Sequence, residues 1–489
     1  MATTSEEIQD NRIGLRALEE SAREHAKVGR YEGALRSIAG GADWAWFNHT
    51  GVFASATFEN LLPAIGAKLT QGGAPTPARG RRRVLHVLTQ AYPTGGHSRL
   101  AWRWMSIDEA SEHSVLLTSQ HDLEIPPELL DGCDGRLVAL TNTLMVDKVR
   151  ALGDALMDFD LIVLHIHPFD AVAVAACAGL EQRPRTLLVN HADHVFWLGL
   201  SAADQIVNLR PASEWIATNR RTGSSEGFAR LALPLDEPAM RAYGGSHLRA
   251  SLGVAAHEPV MSTIAQPYKY ATSGDQSFLS LAERLFRRLP SVHLIAIGPS
   301  DESPGWRDLQ REFPNRVHLL GIRTEYRSVL EASDVYLDSF PFSSITSMLE
   351  AATHGVPVVT MSNPSNGPLN FDDYELIPDL ITSPEEWLES VALWCNDREL
   401  ARSAGSRMRH AVTKLHGRTA WLEQLESVYS MPWRRTTSPL LGGSTRIEQY
   451  DDAIHDLHRA GGLTRDFKGL MEISRIRLEG KPSGVFVEA

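Results

Sequence analysis

The stretch Val335–Met361, VYLDSFPFSSITSMLEAATHGVPVVTM, decides how the chain is read. Val335-Tyr336-Leu337 is a short β-branched and aromatic run, the composition of a buried strand. The loop Ser339-Phe340-Pro341-Phe342 follows, and the hydroxyls of Ser343, Ser344, Thr346 and Ser347 then gather where a helix should begin. Serine and threonine at that place accept hydrogen bonds from amides the helix leaves unpaired. Met348, Leu349, Ala351 and Ala352 carry the helix, and His354-Gly355 ends it with the glycine as its stop. Val356-Pro357-Val358-Val359 opens the next strand. Strand, helix and strand in this order predict a parallel βαβ unit. The helix N-terminus is also a ready anion site, because its free N–H groups and its dipole both favour phosphate. Glu350, two turns in, is placed to reach a sugar hydroxyl beside that phosphate. The pattern alone favours an ordinary capped βαβ unit, so the weight falls on the rest of the chain.

At 489 residues the length suggests two to three domains with substantial cores. The composition, 43% hydrophobic and 22% charged, is that of a globular protein and not of a disordered one. A net charge of −12 argues against a broad nucleic-acid or anionic-membrane surface. No run approaches the length of a membrane-spanning helix, and MATTSEEIQDNR lacks the basic and apolar regions of a secretory leader. Cys133, Cys177 and Cys395 are odd in number and far apart, which fits neither a disulfide framework nor a close-spaced zinc motif. The expectation is a cytoplasmic protein without an integral membrane segment.

Residues 1–70 read as helical, with apolar positions at Ile13, Leu15, Leu18 and Ala22 and again at Ala34, Leu35 and Ile38. Ala22 to Ala39 resembles the middle of one tetratricopeptide unit, with Gly29-Arg30-Tyr31 at its turn. Such a unit needs a neighbour to cover its apolar face, so it is expected to pack on the main body or to dock a protein partner. Residues 71–83, QGGAPTPARGRRR, form a linker.

From Val84 the grammar becomes strand–helix alternation, the signature of a parallel sheet covered on both faces. Val84 to Leu88 is a strand run, and Thr94-Gly95-Gly96-His97 follows it at the start of a helix. Glycines there let a ligand's phosphate approach backbone amides. Leu161 to Leu164 is another strand, ending in His165-Ile166-His167-Pro168. One of those two imidazoles is read as facing a crevice at the sheet edge, where ligands of open parallel sheets bind. Leu187 to Val189 ends in Asn190-His191-Ala192-Asp193-His194, a second histidine cluster at the same edge. Polar loop residues capping helices would look much the same, but two such clusters at successive strand ends favour a site.

These residues set the expected domains: an N-terminal Rossmann-like domain at 84–235, a linker at 236–258, a C-terminal Rossmann-like domain at 259–410, and a crossing helix and tail at 411–489. The second domain restarts at Pro259 to Ala265, followed by Gln266-Pro267-Tyr268-Lys269 and a helix over Gln276 to Leu289. Lys269 at a strand's carboxyl end is placed to counter a diphosphate as a point charge. A lone loop lysine is more often simply solvated.

Leu337 to Met361 resembles the donor-binding segment of the protein O-GlcNAc transferase family, and Gln266-x-x-Lys269 is similar to that family's donor loop. The resemblance implies a GT-B fold, two doubly wound Rossmann-like domains facing a cleft. It places Lys269 at the diphosphate with Gln266 beside it, Thr346 and Ser347 around phosphate, and Glu350 at the ribose. The first domain is more similar to the large retaining GT-B family that includes phosphatidylinositol mannosyltransferases. Thr94-Gly95-Gly96-His97 resembles that family's glycine loop, and His165-Ile166-His167 resembles its His-x-His strand end, which implies that His167 approaches the reacting sugar. Retaining members carry a Glu where this chain has Phe342, and both stereochemical courses stay open.

The function implied is transfer of a sugar, hexosyl or N-acetylhexosaminyl, from a nucleotide-sugar (UDP-sugar favoured) to a protein or glycan acceptor. Donor-binding candidates are Gly95, Gly96, His97, Gln266, Lys269, Ser343, Ser344, Thr346, Ser347 and Glu350. Catalytic candidates are His167, His191 and His194, whose intrinsic pKa suits a base that activates the acceptor. No cofactor and no metal are expected, because preorganised donors can hold the leaving diphosphate. The competing readings are a nucleotide-sugar epimerase of the same architecture and a non-catalytic subunit that assists an active transferase.

Overall fold

Two parallel sheets hold the twelve strands found among the described residues of the computed structural model, which are 3–73, 76, 80–120, 124–236, 244–271, 277–373, 375–377, 381–433 and 443–466. The chain divides into two compact units: Met1–Ala232 with Leu422–Asp451 and Thr464–Ala489, and Leu233–Trp421 with Asp452–Leu463. Parts of the expected linkers at 71–83 and 236–258, the start of the expected helix at Gln276, and residues 434–442 and 467–489 of the tail lie outside the described residues.

In the first unit the strands are β1 (Arg82–Leu88), β2 (Ser111–Leu117), β3 (Leu137–Ala139), β4 (Leu161–His165), β5 (Arg185–Asn190), β6 (Gln205–Asn208) and β7 (Phe228–Arg230). They lie in the order β3-β2-β1-β4-β5-β6-β7, parallel throughout. β4 and β5 are buried at every position, as strands covered on both faces must be. The helices are α1 (Thr4–Lys27), α2 (Tyr31–Phe47), α3 (Ala56–Leu69), α4 (Gly96–Ile107), α5 (Pro127–Asp131), α6 (Met145–Leu156), α7 (Ala171–Gly179) and α8 (Pro211–Ile216).

The N-terminal helices are built into this unit. Gly29, at φ +73°, makes the turn between α1 and α2 in the left-handed region that glycine enters without a Cβ clash. Helix α7, AVAVAACAG, is apolar all round and its first seven residues are buried, so it needs cover on the side away from the sheet. Helix α3 supplies that cover at backbone contact: a Cβ on Gly66 would stand 2.0 Å from the Ala175 carbonyl oxygen. The buried Glu59 carboxylate on α3 accepts from the amides of Gly199, Leu200 and Ser201 at 2.8, 3.2 and 2.7 Å, which pins the loop after β5.

In the second unit β8 (Val260–Ile264), β9 (His293–Ile297), β10 (Val317–Leu319), β11 (Val335–Leu337) and β12 (Val358–Val359) form a parallel sheet in the order β10-β9-β8-β11-β12. Its helices are α9 (Gly244–Ser251), α10 (Phe278–Arg288), α11 (Trp306–Glu312), α12 (Arg327–Ala332), α13 (Ile345–Thr353), α14 (Pro384–Asn396) and α15 (Arg398–His416). Helices α16 (Arg418–Ser430) and α17 (Gln449–Ala460) follow. The βαβ unit read from Val335–Met361 is therefore β11-α13-β12, with Tyr336 opposite Val358. Among the described residues no helix is long and apolar enough to cross a membrane.

Candidate functional site

Open parallel sheets bind ligands at the carboxyl ends of their strands, where the strand order reverses direction. In the second unit that point lies between β8 and β11. The chain leaves β8 into a short 3-10 turn, Pro267–Tyr270, and leaves β11 into the loop before α13. The two segments meet there: Lys269 Nζ donates to the Ser343 carbonyl oxygen at 3.1 Å and stands 4.3 Å from the centre of the Phe342 ring. Gln266 is exposed at the mouth of the same turn.

The start of α13 corrects one expectation. Ser344 is the N-cap residue, but its side chain makes no capping bond. Asp338, immediately after β11, does that work: its carboxylate accepts from the Ser344 amide at 2.9 Å, from Ser343 Oγ at 2.6 Å and from Thr360 Oγ1 at 2.9 Å. A carboxylate takes more donors than a hydroxyl, so it displaces the serines from the role read for them. Burial pushes the Asp338 carboxyl up, and its three donors and Lys269 pull the other way. The amides of Ile345, Thr346 and Ser347 have no acceptor among the described residues, nor do the hydroxyls of Thr346 and Ser347. These are the free donors of a helix N-terminus. Glu350, one turn further and buried, accepts from the Tyr326 hydroxyl.

In the first unit the order reverses between β1 and β4. Gly95, at φ +110°, is the N-cap of α4, and open space surrounds the position a Cβ would take. His97 follows on the first turn, His167 two residues after β4 and His191 directly after β5. The fold brings these three together: His97 lies 5.2 Å from His167 and 5.4 Å from His191, ring centre to ring centre. Thr89 fixes the edge, accepting from the His167 amide at 2.8 Å and donating to Asp170 at 2.7 Å.

Carbonyl acceptors set the tautomers. His97 Nε2 is 3.0 Å from the Gln90 carbonyl oxygen and His191 Nδ1 is 3.3 Å from that of Val189, so each nitrogen carries its proton and the other offers a lone pair. The His167 imidazole has no hydrogen-bond partner among the described residues. Burial, with the neighbouring imidazoles, lowers His97 and His167 to about 3 and His191 to about 4. All three are neutral at pH 7. His194 is held differently, its Nδ1 3.3 Å from Asp193. Asp193 is buried, yet Arg210 at 2.7 and 3.0 Å and His194 hold its carboxyl far below the usual range.

Sequence reading missed Asp338, although it is the first residue past a strand run and local pattern could have marked it. It also missed Tyr326 and three half-buried rings around His167, those of Trp46, Tyr92 and Phe169 at 6.3, 5.9 and 5.5 Å. Trp46 comes from the end of α2, and no local signal ties it to β4.

No family model matches the sequence, and no curated protein matches it. Solved structures do. HepE of Anabaena, in complex with UDP and glucose, matches with a TM-score of 0.55 and 16% identity over 72% of this chain and 100% of that one. A mutant O-GlcNAc transferase of Thermobaculum terrenum matches with a TM-score of 0.50 and 16% identity over 86% and 83%. A glycosyltransferase of Rickettsia africae matches with a TM-score of 0.56 and 10% identity over 72% and 98%. At such identities the likeness is one of fold. Two doubly wound parallel sheets, each with its polar cluster at the point where strand order reverses, give this chain the GT-B fold.

Proposed function

We propose that the protein transfers a hexosyl or N-acetylhexosaminyl group from a nucleotide-sugar, with a UDP-sugar favoured, to a protein or glycan hydroxyl. The observation that carries this reading is the meeting of Lys269 with the start of α13 at the β8/β11 reversal point. A point charge and a set of free amides converge there, which is the arrangement that holds a diphosphate. Structures of the same fold have been solved with UDP, which supports the choice of nucleotide.

In the proposed reaction the acceptor oxygen bonds to the anomeric carbon as the bond from that carbon to the diphosphate oxygen breaks. Negative charge grows on the leaving diphosphate. Lys269, Thr346, Ser347 and the α13 amides receive it as fixed donors, without reorganisation at the moment of reaction. Glu350 is assigned to the ribose, and Gly95 and Gly96 are proposed as donor contacts. His167 and His191, neutral at pH 7, are the bases proposed for the acceptor proton, with His194 as the further candidate. No metal is assigned a role.

Titrating UDP, UDP-glucose and UDP-N-acetylglucosamine against the wild type and Lys269→Ala by calorimetry and thermal shift tests the assignment. The expected outcome is a stabilised wild type and a variant that keeps its melting temperature but loses the response. Equal responses would refute the lysine's role. Incubation with a UDP-sugar alone, followed by sugar analysis, detects epimerisation if that is the reaction, and transfer should survive a chelator.

A further inference from the structure

Beneath α4 a row of buried imidazoles crosses the first sheet. On β2, β1 and β4, His113 stands opposite Val84 and His165 opposite Leu88, with His86 midway between those two positions on β1. Residues two apart on a strand share a face, so all three side chains lie on one face along a diagonal. They are linked: His165 Nε2 to His86 Nδ1 at 3.0 Å, His86 Nε2 to His113 Nδ1 at 3.0 Å, and His113 Nε2 to the Asp108 carbonyl oxygen at 2.8 Å. All three are at most 2% exposed.

A carbonyl oxygen can only accept, and this fixes the whole row. His113 donates from Nε2, so its Nδ1 accepts from His86 Nε2–H, and His86 Nδ1 in turn accepts from His165 Nε2–H. What remains at the far end is the Nδ1 lone pair of His165, buried and without a hydrogen-bond partner among the described residues. His165 lies two residues before His167, one of the three site histidines, and protonation of either of the other two, His191 or His97, would disfavour charge on it. At the other end the Asp108 carboxylate lies 3.7 Å from His113 Nε2 and accepts from the Tyr429 hydroxyl at 2.8 Å.

We propose that His165, His86 and His113 form a proton relay that links the histidine site to Asp108. A hydroxyl or water between His165 and the His97/His191 pair gives its proton to His165 Nδ1. His165 Nε2–H then passes to His86 Nδ1, and His86 Nε2–H to His113 Nδ1. His113 is left as the imidazolium, paired with Asp108, and the donor oxygen is left with the electron pair that the new glycosidic bond needs. The last clause rests on the transferase reading. His165 takes the proton from that oxygen directly, whereas His86 and His113 are positioning residues, since neither touches the reacting atoms.

The surroundings bias the charge in that direction. Helix α4 runs over the row from His97 in its first turn to Asp108 at its C-cap. Its dipole disfavours a cation at the first end and favours one at the second. Burial lowers His113 too, but the Asp108 carbonyl and the carboxylates of Asp108 and Asp134 favour its charge, with Arg81 opposing. Burial, with the neighbouring imidazoles, holds both His86 and His165 well below the usual range.

The test uses the full chain labelled with 15N-histidine. Wild type at pH 7.5 should show His86, His113 and His165 protonated on Nε2 alone, and on acidification His113 should gain the first proton of the three. Asp108→Asn keeps the backbone carbonyl, so the tautomers should persist while that titration moves down by about one unit, a tenfold change in proton affinity. Turnover of Asp108→Asn at pH 7 should fall by about three- to tenfold with its acid limb shifted to lower pH, at unchanged UDP affinity. His113→Gln retains an acceptor and a donor and should preserve the His86 and His165 tautomers. A His165 protonated on Nδ1, a first proton on His165, or a wild-type pH profile in Asp108→Asn would each overturn the relay. If the wild type neither binds UDP nor turns over, the transferase reading fails, and the tautomers and the order of protonation still decide the relay.

Discussion

Lys269 and Glu350 are the residues on which the nucleotide assignment is most exposed. Removing a charged donor to phosphate costs about 1.5–3 kcal/mol, so Lys269→Ala should bind UDP about 10- to 150-fold more weakly by calorimetry. Glu350→Ala should weaken it as well. Tyr326→Phe, which removes only the hydroxyl that donates to Glu350, should act in the same direction but less. The histidines give a pH signature. His97, His167 and His191 are neutral when folded and titrate near 6.5 when unfolded, so the unfolded chain binds more protons below that pH. Stability is therefore fully present above pH 6.5 and lost as pH falls toward 4, by about 1.4 kcal/mol per pH unit for each such imidazole. Urea midpoints across that range check it, and turnover should show no break at 6.5. The strand–turn–helix patterns that carry Lys269 and Ser343 to Ser347 were legible because each is local in the sequence. The meeting of His97, His167 and His191 could not, because it depends on which strands lie side by side.

Among the elements, α3 and α7 make the clearest case. Gly66 and Gly179 let the two backbones touch, and a Cβ on Gly179 would stand 2.3 Å from the Gly66 carbonyl carbon. Gly66→Val should cost about 1–3 kcal/mol in urea unfolding, because backbone cannot give way as a flexible side chain would. Glu59→Ala leaves three buried amides without their acceptor and should cost a similar amount. The strands and most helices were legible within a few residues, since apolar runs of parallel strands are distinctive. Strand β7, Phe228–Arg230, was not: three residues with a charged end carry no such run. The apolar stretch Ala171–Gly179 raised no expectation in the sequence, although an all-round apolar helix calls for a second covering layer, and α3 is that layer.

For the whole molecule, the packing of α3 on α7 means that the N-terminal helices are part of the first unit's core. Deleting residues 1–70 should leave a chain that binds a hydrophobic dye and is cut rapidly by protease, whereas a removable appendage would leave the remainder resistant. The first unit also has a consequence for synthesis. Its members lie far apart along the chain: His49 holds Asp451 at 2.8 Å across 402 positions, and Tyr429 reaches Asp108 across 321. A ribosome emits Asp451 and Tyr429 long after His49 and Asp108. The seven-stranded sheet is therefore made early and completed late, and while residues 233–421 are being translated its polar sockets stand open for a chaperone to occupy.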